Sequence, residues 1–85
     1  MSGAEMLTTA AAVLAERRMA YGDPCRSMEL LAKRWSLTLG QRITAAQVAM
    51  CLIDLKLTRL SHDPAHQDSI LDIAGYAAVL HEVAT

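Results

Sequence analysis

The stretch from Val48 to Tyr76 constrains the fold of this 85-residue chain most strongly. It is preceded by Thr44-Ala45-Ala46-Gln47, which has the T-x-x-Q form of a helix capping box. The helix that follows, about Ala45–Leu60, is apolar almost all round, and a helix of this kind must be surrounded by other elements. Its apolar residues are Val48, Met50, Cys51, Leu52, Ile53, Leu55, Leu57 and Leu60. We therefore expect it to be the central element, enclosed by the other helices or shared in a homodimer.

A proline turn ends this helix and sends the chain back. His62-Asp63-Pro64-Ala65-His66 cannot continue a helix, because the proline ring and the missing N–H break the hydrogen-bond ladder. A last helix, about Gln67–Val83, is predicted from an apolar stripe formed by Ile70, Ile73, Ala74, Ala77 and Leu80. The short turn predicts that the two helices run antiparallel. Gly75 in the last helix is predicted to let a neighbouring backbone approach closely.

Two further helices precede this pair. Ser2-Gly3-Ala4-Glu5 is an S-x-x-E capping box that opens the first helix, and Tyr21-Gly22 ends it. Asp23-Pro24 then starts a second helix, which stops at Gly40. The whole pattern predicts an all-α protein, a compact four-helix bundle forming one domain over residues 1–85.

Composition limits the compartment and the class of partner. Apolar residues make up 53% of the chain and Phe is absent, so helices packed through small side chains and a homodimer are expected. Two cysteines are too few for a disulfide framework. The chain opens with no signal peptide, and it has no run long enough to span a bilayer. We therefore expect a cytoplasmic protein that does not contact the membrane.

Charge is unevenly distributed although the net charge is only −1. Residues 1–43 carry six basic and four acidic side chains, whereas residues 44–85 carry two basic and five acidic ones. A protein of this charge is a poor candidate for sequence-independent DNA binding, which needs many phosphate contacts. The acidic half is better suited to a basic surface on a partner.

Lys56 and Arg59 lie near the end of the central helix, at the height of Asp68 and Asp72 on the next helix. Asp68, Asp72 and Tyr76 share one helix face at i, i+4 and i+8. One interpretation is a structural ion network of Lys56, Arg59, Asp68 and Asp72 with Tyr76 packed beside it. The other is a site for phosphate on the cations or for a metal ion on the carboxylates.

Catalytic and metal motifs are sparse. Mg²⁺ prefers carboxylates together with substrate phosphates. Asp68 and Asp72 could supply two ligands and Asp54 on the central helix a third, but the chain contains no E-x-x-E or E-x-x-D pair. His62, His66 and His81 do not have the spacing of a ligand set. We therefore expect no catalytic residues, no metal site and no cofactor.

The chain also resembles a known family in its motifs. These are Tyr21-Gly22, Trp35, Thr44-Ala45-Ala46-Gln47-Val48, Lys56-Leu57-Thr58-Arg59-Leu60, Asp68 and Asp72-Ile73-Ala74-Gly75-Tyr76. Together they are similar to a widespread group of small all-helical phage and prophage proteins of unknown function. Ser27 departs from the pattern, in which an Asn is expected.

The resemblance implies two functions. Small helical phage proteins of this kind include anti-CRISPR proteins, which bind an effector complex and block its capture of DNA. The partner would then be a host protein or ribonucleoprotein complex, met by Asp54, Asp63, Asp68 and Asp72, with no sequence-specific DNA binding. The alternative is a Mg²⁺-dependent nucleotide-binding or pyrophosphohydrolase-like protein using Asp68 and Asp72. The leading hypothesis is the non-enzymatic inhibitor of a host defence complex.

Overall fold

The structure, a computed structural model, describes residues 1–84 and consists of four helices in that range. They are α1 (Gly3–Tyr21), α2 (Pro24–Leu39), α3 (Ala45–His62) and α4 (Gln67–Ala84). The all-α, four-helix fold predicted from the sequence is confirmed.

Side-chain caps place the helix starts where the sequence predicts them. Ser2 accepts a hydrogen bond from the Glu5 N–H, and Glu5 accepts one in return from the Ser2 N–H. Thr44 and Gln47 form the same reciprocal pair at the start of α3. Each box satisfies backbone donors that have no partner within the helix.

Two glycines end the first two helices in conformations that other residues rarely adopt. Gly22 has φ +86° after α1, and Gly40 has φ +68° after α2. A side chain at either position would strain the backbone at these φ values, so glycine is favoured where the two helices end. Asp23 then caps α2 by accepting from the Cys25 N–H, with Pro24 in the first helical position.

The buried core is small and built mainly from small side chains. It lies between α2, α3 and α4, and its members are Met28, Ala32, Val48, Ala49 and Val79. Partly buried residues around it include Leu14, Trp35, Leu52 and Leu80. Because Ala and Val dominate, the helices approach closely without large aromatic side chains between them.

The helix at the centre of the bundle is α4, and this corrects the expectation that the other helices enclose α3. Only α4 packs substantially against each of the other three helices. By contrast α3 packs mainly against α4 and α2, and Met50, Leu55 and Leu57 on it remain about half exposed. The number of apolar residues on a helix does not determine how many neighbours cover it.

None of the four helices is long and apolar enough to cross a membrane within residues 1–84.

Candidate functional site

A partly enclosed groove of about 190 Å³ lies between α1, α4 and the start of α2. One wall is formed by residues of α1 spaced three or four apart, among them Ala10, Leu14 and Arg17. The opposite wall is formed by residues of α4, among them Asp72, Tyr76 and Val79. Most of the lining is apolar, and its polar or charged side chains are Arg17, Arg18, Tyr21, Ser27, Asp72 and Tyr76.

Gly75 borders this groove rather than a neighbouring helix. A Cβ atom built at Gly75 would meet no heavy atom within 4 Å. The sequence-based prediction that Gly75 allows a close backbone approach is therefore wrong. The missing side chain leaves the groove open instead.

Asp72 joins three helices through its two carboxylate oxygens. Lys56 Nζ on α3 lies 2.9 Å from Asp72 Oδ2, and Arg17 Nη1 on α1 lies 3.5 Å from Asp72 Oδ1. The Asp72 and Lys56 side chains are 9% and 12% exposed, whereas that of Arg17 is 56% exposed. The Lys56–Asp72 pair is therefore shielded from water, and the Arg17 contact lies at the surface.

Only part of the predicted ion network comes together. Lys56 and Asp72 meet, and Tyr76 is half-buried beside the same groove. The Arg59 and Asp68 side chains are exposed, and neither makes an ion pair with any described residue. Arg59 follows Lys56 by three residues, which rotates it by about 60° around α3, away from the direction of Lys56.

The predicted partner-binding carboxylates fall into two classes. Asp54, Asp63 and Asp68 are exposed. Asp72 is held by two cations and nearly buried, so its carboxylate is not available to a partner surface. Within residues 1–84, Asp54, Asp68 and Asp72 do not form a group that could hold a metal ion.

A second polar cluster lies where α1, the start of α2 and the end of α4 meet. Arg18 Nη2 is 3.1 Å from Glu82 Oε2 and 3.4 Å from Asp23 Oδ1. The Cys25 thiol donates to Glu82 Oε2 over 3.0 Å. Ligand atoms of Asp23, Cys25 and Glu82 lie within 4.8 Å of one another, which is close enough for one metal ion. The Arg18 guanidinium contacts both carboxylates, and its single positive charge offsets half of their combined negative charge.

This cluster changes the acidity of the Cys25 thiol. The hydrogen bond to Glu82, followed by burial and the negative charges of Asp23 and Glu82, raises the pKa of Cys25 from 9.0 to about 11. Each of these effects disfavours the thiolate, which is the nucleophilic form. Cys25 is therefore held as a neutral thiol, unlike a catalytic cysteine.

A serine–histidine contact is also present at the start of α4. His66 Nδ1 lies 2.7 Å from Ser69 Oγ and 3.3 Å from the Ser69 N. Ser69 is fully buried. The imidazole therefore satisfies a backbone donor at the helix start, and the serine hydroxyl is not exposed to a substrate.

Three residues of these contacts, Arg17, Arg18 and Glu82, had no role predicted from the sequence. Arg17 lies three residues after Leu14 and seven residues after Ala10, so helical spacing places it on the packed face of α1. That spacing is the signal that could have identified it. No local pattern links Arg18 to Glu82, because 64 residues separate them.

We expect Asp72→Ala to lower the free energy of unfolding by about 2–4 kcal/mol, because it leaves the Lys56 ammonium shielded without a partner. For a domain of this size the melting temperature should fall by at least about 10 °C. The exposed residues Arg59 and Asp68 provide controls, and each alanine variant should stay within about 0.5 kcal/mol of the parent. Thermal and urea unfolding would measure all three. Equal stability of Asp72→Ala and the controls would contradict a structural role for the pair.

We expect Cys25 to react about tenfold more slowly with iodoacetamide at pH 8 than an unperturbed thiol. The raised pKa leaves less of Cys25 as thiolate, and the greater nucleophilicity of the remaining thiolate offsets this loss only in part. In a Cys51→Ser background, Glu82→Gln should accelerate the reaction by lowering the Cys25 pKa. Glu16→Gln serves as the control and should leave the rate unchanged. Unchanged alkylation in the Glu82→Gln variant would contradict the assigned cause of the shift.

Comparison with known proteins identifies the family. A domain of unknown function, DUF6378, matches residues 5–84. The Gene 55 protein of Mycobacterium phage L5 is 38% identical over 80 residues, covering 92% of this chain and 51% of the relative. The Gene 55 protein of Mycobacterium phage D29 is 32% identical over 68 residues, covering 80% of this chain and 45% of the relative.

The chain thus spans about half the length of these relatives. No solved structure matches it. The predicted resemblance to small phage proteins of unknown function is confirmed, and the chain belongs to the DUF6378 family.

Proposed function

We propose that this protein acts in the host cytoplasm by binding a defence complex, as an anti-CRISPR protein that docks on a Cascade-type surveillance complex and blocks its capture of DNA. Its phage relatives support a role in infection. The observation that carries the proposal is the exposure of the Asp63 and Asp68 carboxylates without a paired cation. Both carboxylates are exposed around the α3–α4 turn, and neither forms an ion pair with another residue of the described chain.

Unpaired carboxylates suit a basic nucleic-acid channel for an electrostatic reason. Such a channel is lined by cations that otherwise contact phosphates, and an acidic surface competes for those cations. Asp63 lies at the end of α3 and Asp68 in the first turn of α4, so the turn between them presents both charges. The nearby cation Lys56 is already paired with Asp72 and does not neutralise them.

Charge reversal at the turn tests this proposal. An Asp63→Lys plus Asp68→Lys variant should remain folded, because both side chains are exposed, but should lose binding to a purified Cascade-type complex in a pull-down. The parent protein should also reduce that complex's binding to target DNA in a mobility-shift assay. A matched control is Glu16→Lys plus Glu29→Lys, which makes the same charge change on α1 and α2. Failure of the parent to bind the complex, or equal loss in the control, would overturn the proposal.

A second candidate function is nucleotide binding, and the groove favours it. Its apolar lining and the side chains of Tyr21 and Tyr76 suit a nucleobase. Arg17 and Arg18 line the same groove, and although each forms an ion pair, their side chains are 56% and 50% exposed and can also contact phosphate. This arrangement differs from the pyrophosphohydrolase-like site predicted from the sequence. There, Lys56 or Arg59 would bind phosphate and Asp68 and Asp72 would bind Mg²⁺, but Lys56 and Asp72 are paired with each other.

Thermal shift with a panel of nucleoside triphosphates, with and without Mg²⁺, tests the second candidate. A ligand at 100 times its Kd should stabilise the protein by about 2.7 kcal/mol. Gly75→Leu, which places a side chain at the groove, should remove the shift, whereas Ala12→Leu on the exposed part of α1 should not. The absence of both a shift and triphosphate turnover would exclude this function.

A further inference from the structure

The protomer exposes more surface than a monomer of its mass normally does. Its accessible surface is 5889 Å², whereas about 4,900 Å² is typical of a folded 9.2 kDa chain. Its radius of gyration is 13.6 Å, against about 12 Å for a compact domain of this length. The excess of about 1,000 Å² is close to the roughly 800 Å² that each partner buries in a standard protein interface.

Part of the excess lies on the outer face of α2. Arg26, Leu30, Lys33 and Leu37 follow one another at i, i+4, i+7 and i+11, so they form one stripe along the helix. All four are exposed, and Leu37 is 85% exposed. Neither Arg26 nor Lys33 forms an ion pair with a described residue. We call these four residues the α2 stripe.

The outer face of α3 carries a second stripe of the same length and spacing. It consists of Met50, Asp54, Leu57 and Ser61, and all four are exposed. Asp54 makes no ion pair in the part of the chain that the structure describes. The Ser61 hydroxyl donates to the Thr58 carbonyl oxygen over 2.6 Å, so covering it leaves no unsatisfied donor. We call these residues the α3 stripe.

The two stripes are complementary in only one direction. When they are aligned antiparallel, Leu30 lies opposite Leu57, Lys33 opposite Asp54, and Leu37 opposite Met50. Aligned parallel, Leu30 would lie opposite Asp54 and Lys33 opposite Leu57, which would place each charge against an apolar side chain. Both stripes span twelve residues, about 16 Å of helix, so the antiparallel alignment matches them along their full length.

We propose that the α2 stripe of one copy of this chain binds the α3 stripe of a second copy in this antiparallel register. The leucines and Met50 remove apolar surface from water. The Lys33–Asp54 pair fixes the register, because a slip by one helical turn would leave both charges unpaired. A second copy is the occupant because its α3 stripe has the matching length, apolar positions and charge. The contact uses Asp54 and leaves Asp63 and Asp68 exposed.

Charge exchange tests the contact by sedimentation at about 100 μM, a concentration that populates micromolar association. The parent should form a species larger than the monomer. Lys33→Glu and Asp54→Lys should each weaken association at least about tenfold, since like charges then face each other. The double variant should recover it by restoring an opposite pair with the signs exchanged. Arg59→Glu and Glu16→Lys are matched charge changes outside both stripes and should have no effect.

Crosslinking tests the register independently of stability. In a Cys25→Ser, Cys51→Ser background, a protein with Leu37→Cys is mixed with one carrying Met50→Cys or with one carrying Ser61→Cys. The antiparallel register predicts a mixed disulfide with the Met50→Cys partner and little with the Ser61→Cys partner. A monomeric parent, failure of the double charge variant to recover association, or equal crosslinking of both pairs would overturn the proposal. None of these results depends on binding to a host complex.

Discussion

The carboxylate of Asp72 is the point on which the arrangement of the helices depends. It pairs with Lys56 from α3 in a shielded contact and with Arg17 from α1 at the surface, so one side chain on α4 connects two neighbouring helices. The core is small and made mostly of alanine and valine, which pack adequately in more than one register. Any register that separates Lys56 from Asp72 leaves a shielded charge without a partner, which destabilises that arrangement. Specificity of packing, more than net stability, is what this pair contributes.

Local features of the sequence predicted the helices well because their causes are local. Capping boxes at Ser2 and Thr44, the proline at residue 64 and the glycines at 22 and 40 act within a few residues of the chain. The Lys56–Asp72 pair was predictable as well, since a short turn brings the end of α3 and the start of α4 to the same height. For such features, sequence spacing is nearly equivalent to spatial distance.

Other features depend on contacts between distant parts of the chain and could not be predicted in this way. Arg17 reaches Asp72 across 55 residues, and it takes a place that the sequence assigned to Arg59. The central position of α4 follows from the way α1 docks, which leaves no mark on the apolar pattern of α3. The groove beside Gly75 exists only when α1, α2 and α4 are assembled. Periodicity identifies the face of a helix that is covered, but not the element that covers it.

The exposed candidate surfaces are distinct from the structural ion pair except at the groove. Asp72 pairs with Lys56 and also lines the groove. Asp63 and Asp68 at the turn and the residues of the two helix stripes are exposed. The exposed charges are also segregated: cations on α2 face solvent at Arg26, Lys33 and Arg34, and carboxylates predominate from Asp54 to Asp68. The outer face of α2 and the α3–α4 turn therefore differ in the sign of their exposed charge.

A double-mutant cycle between Lys56 and Asp72 measures the free energy of coupling between the two side chains. Lys56→Met, Asp72→Leu and the combined variant would be compared with the parent by urea unfolding. We expect the combined variant to lose less free energy of unfolding than the two single variants lose together, with a coupling of about 1–3 kcal/mol. Additivity within about 0.5 kcal/mol would show that the two residues do not depend on each other, and would contradict the role assigned to the pair.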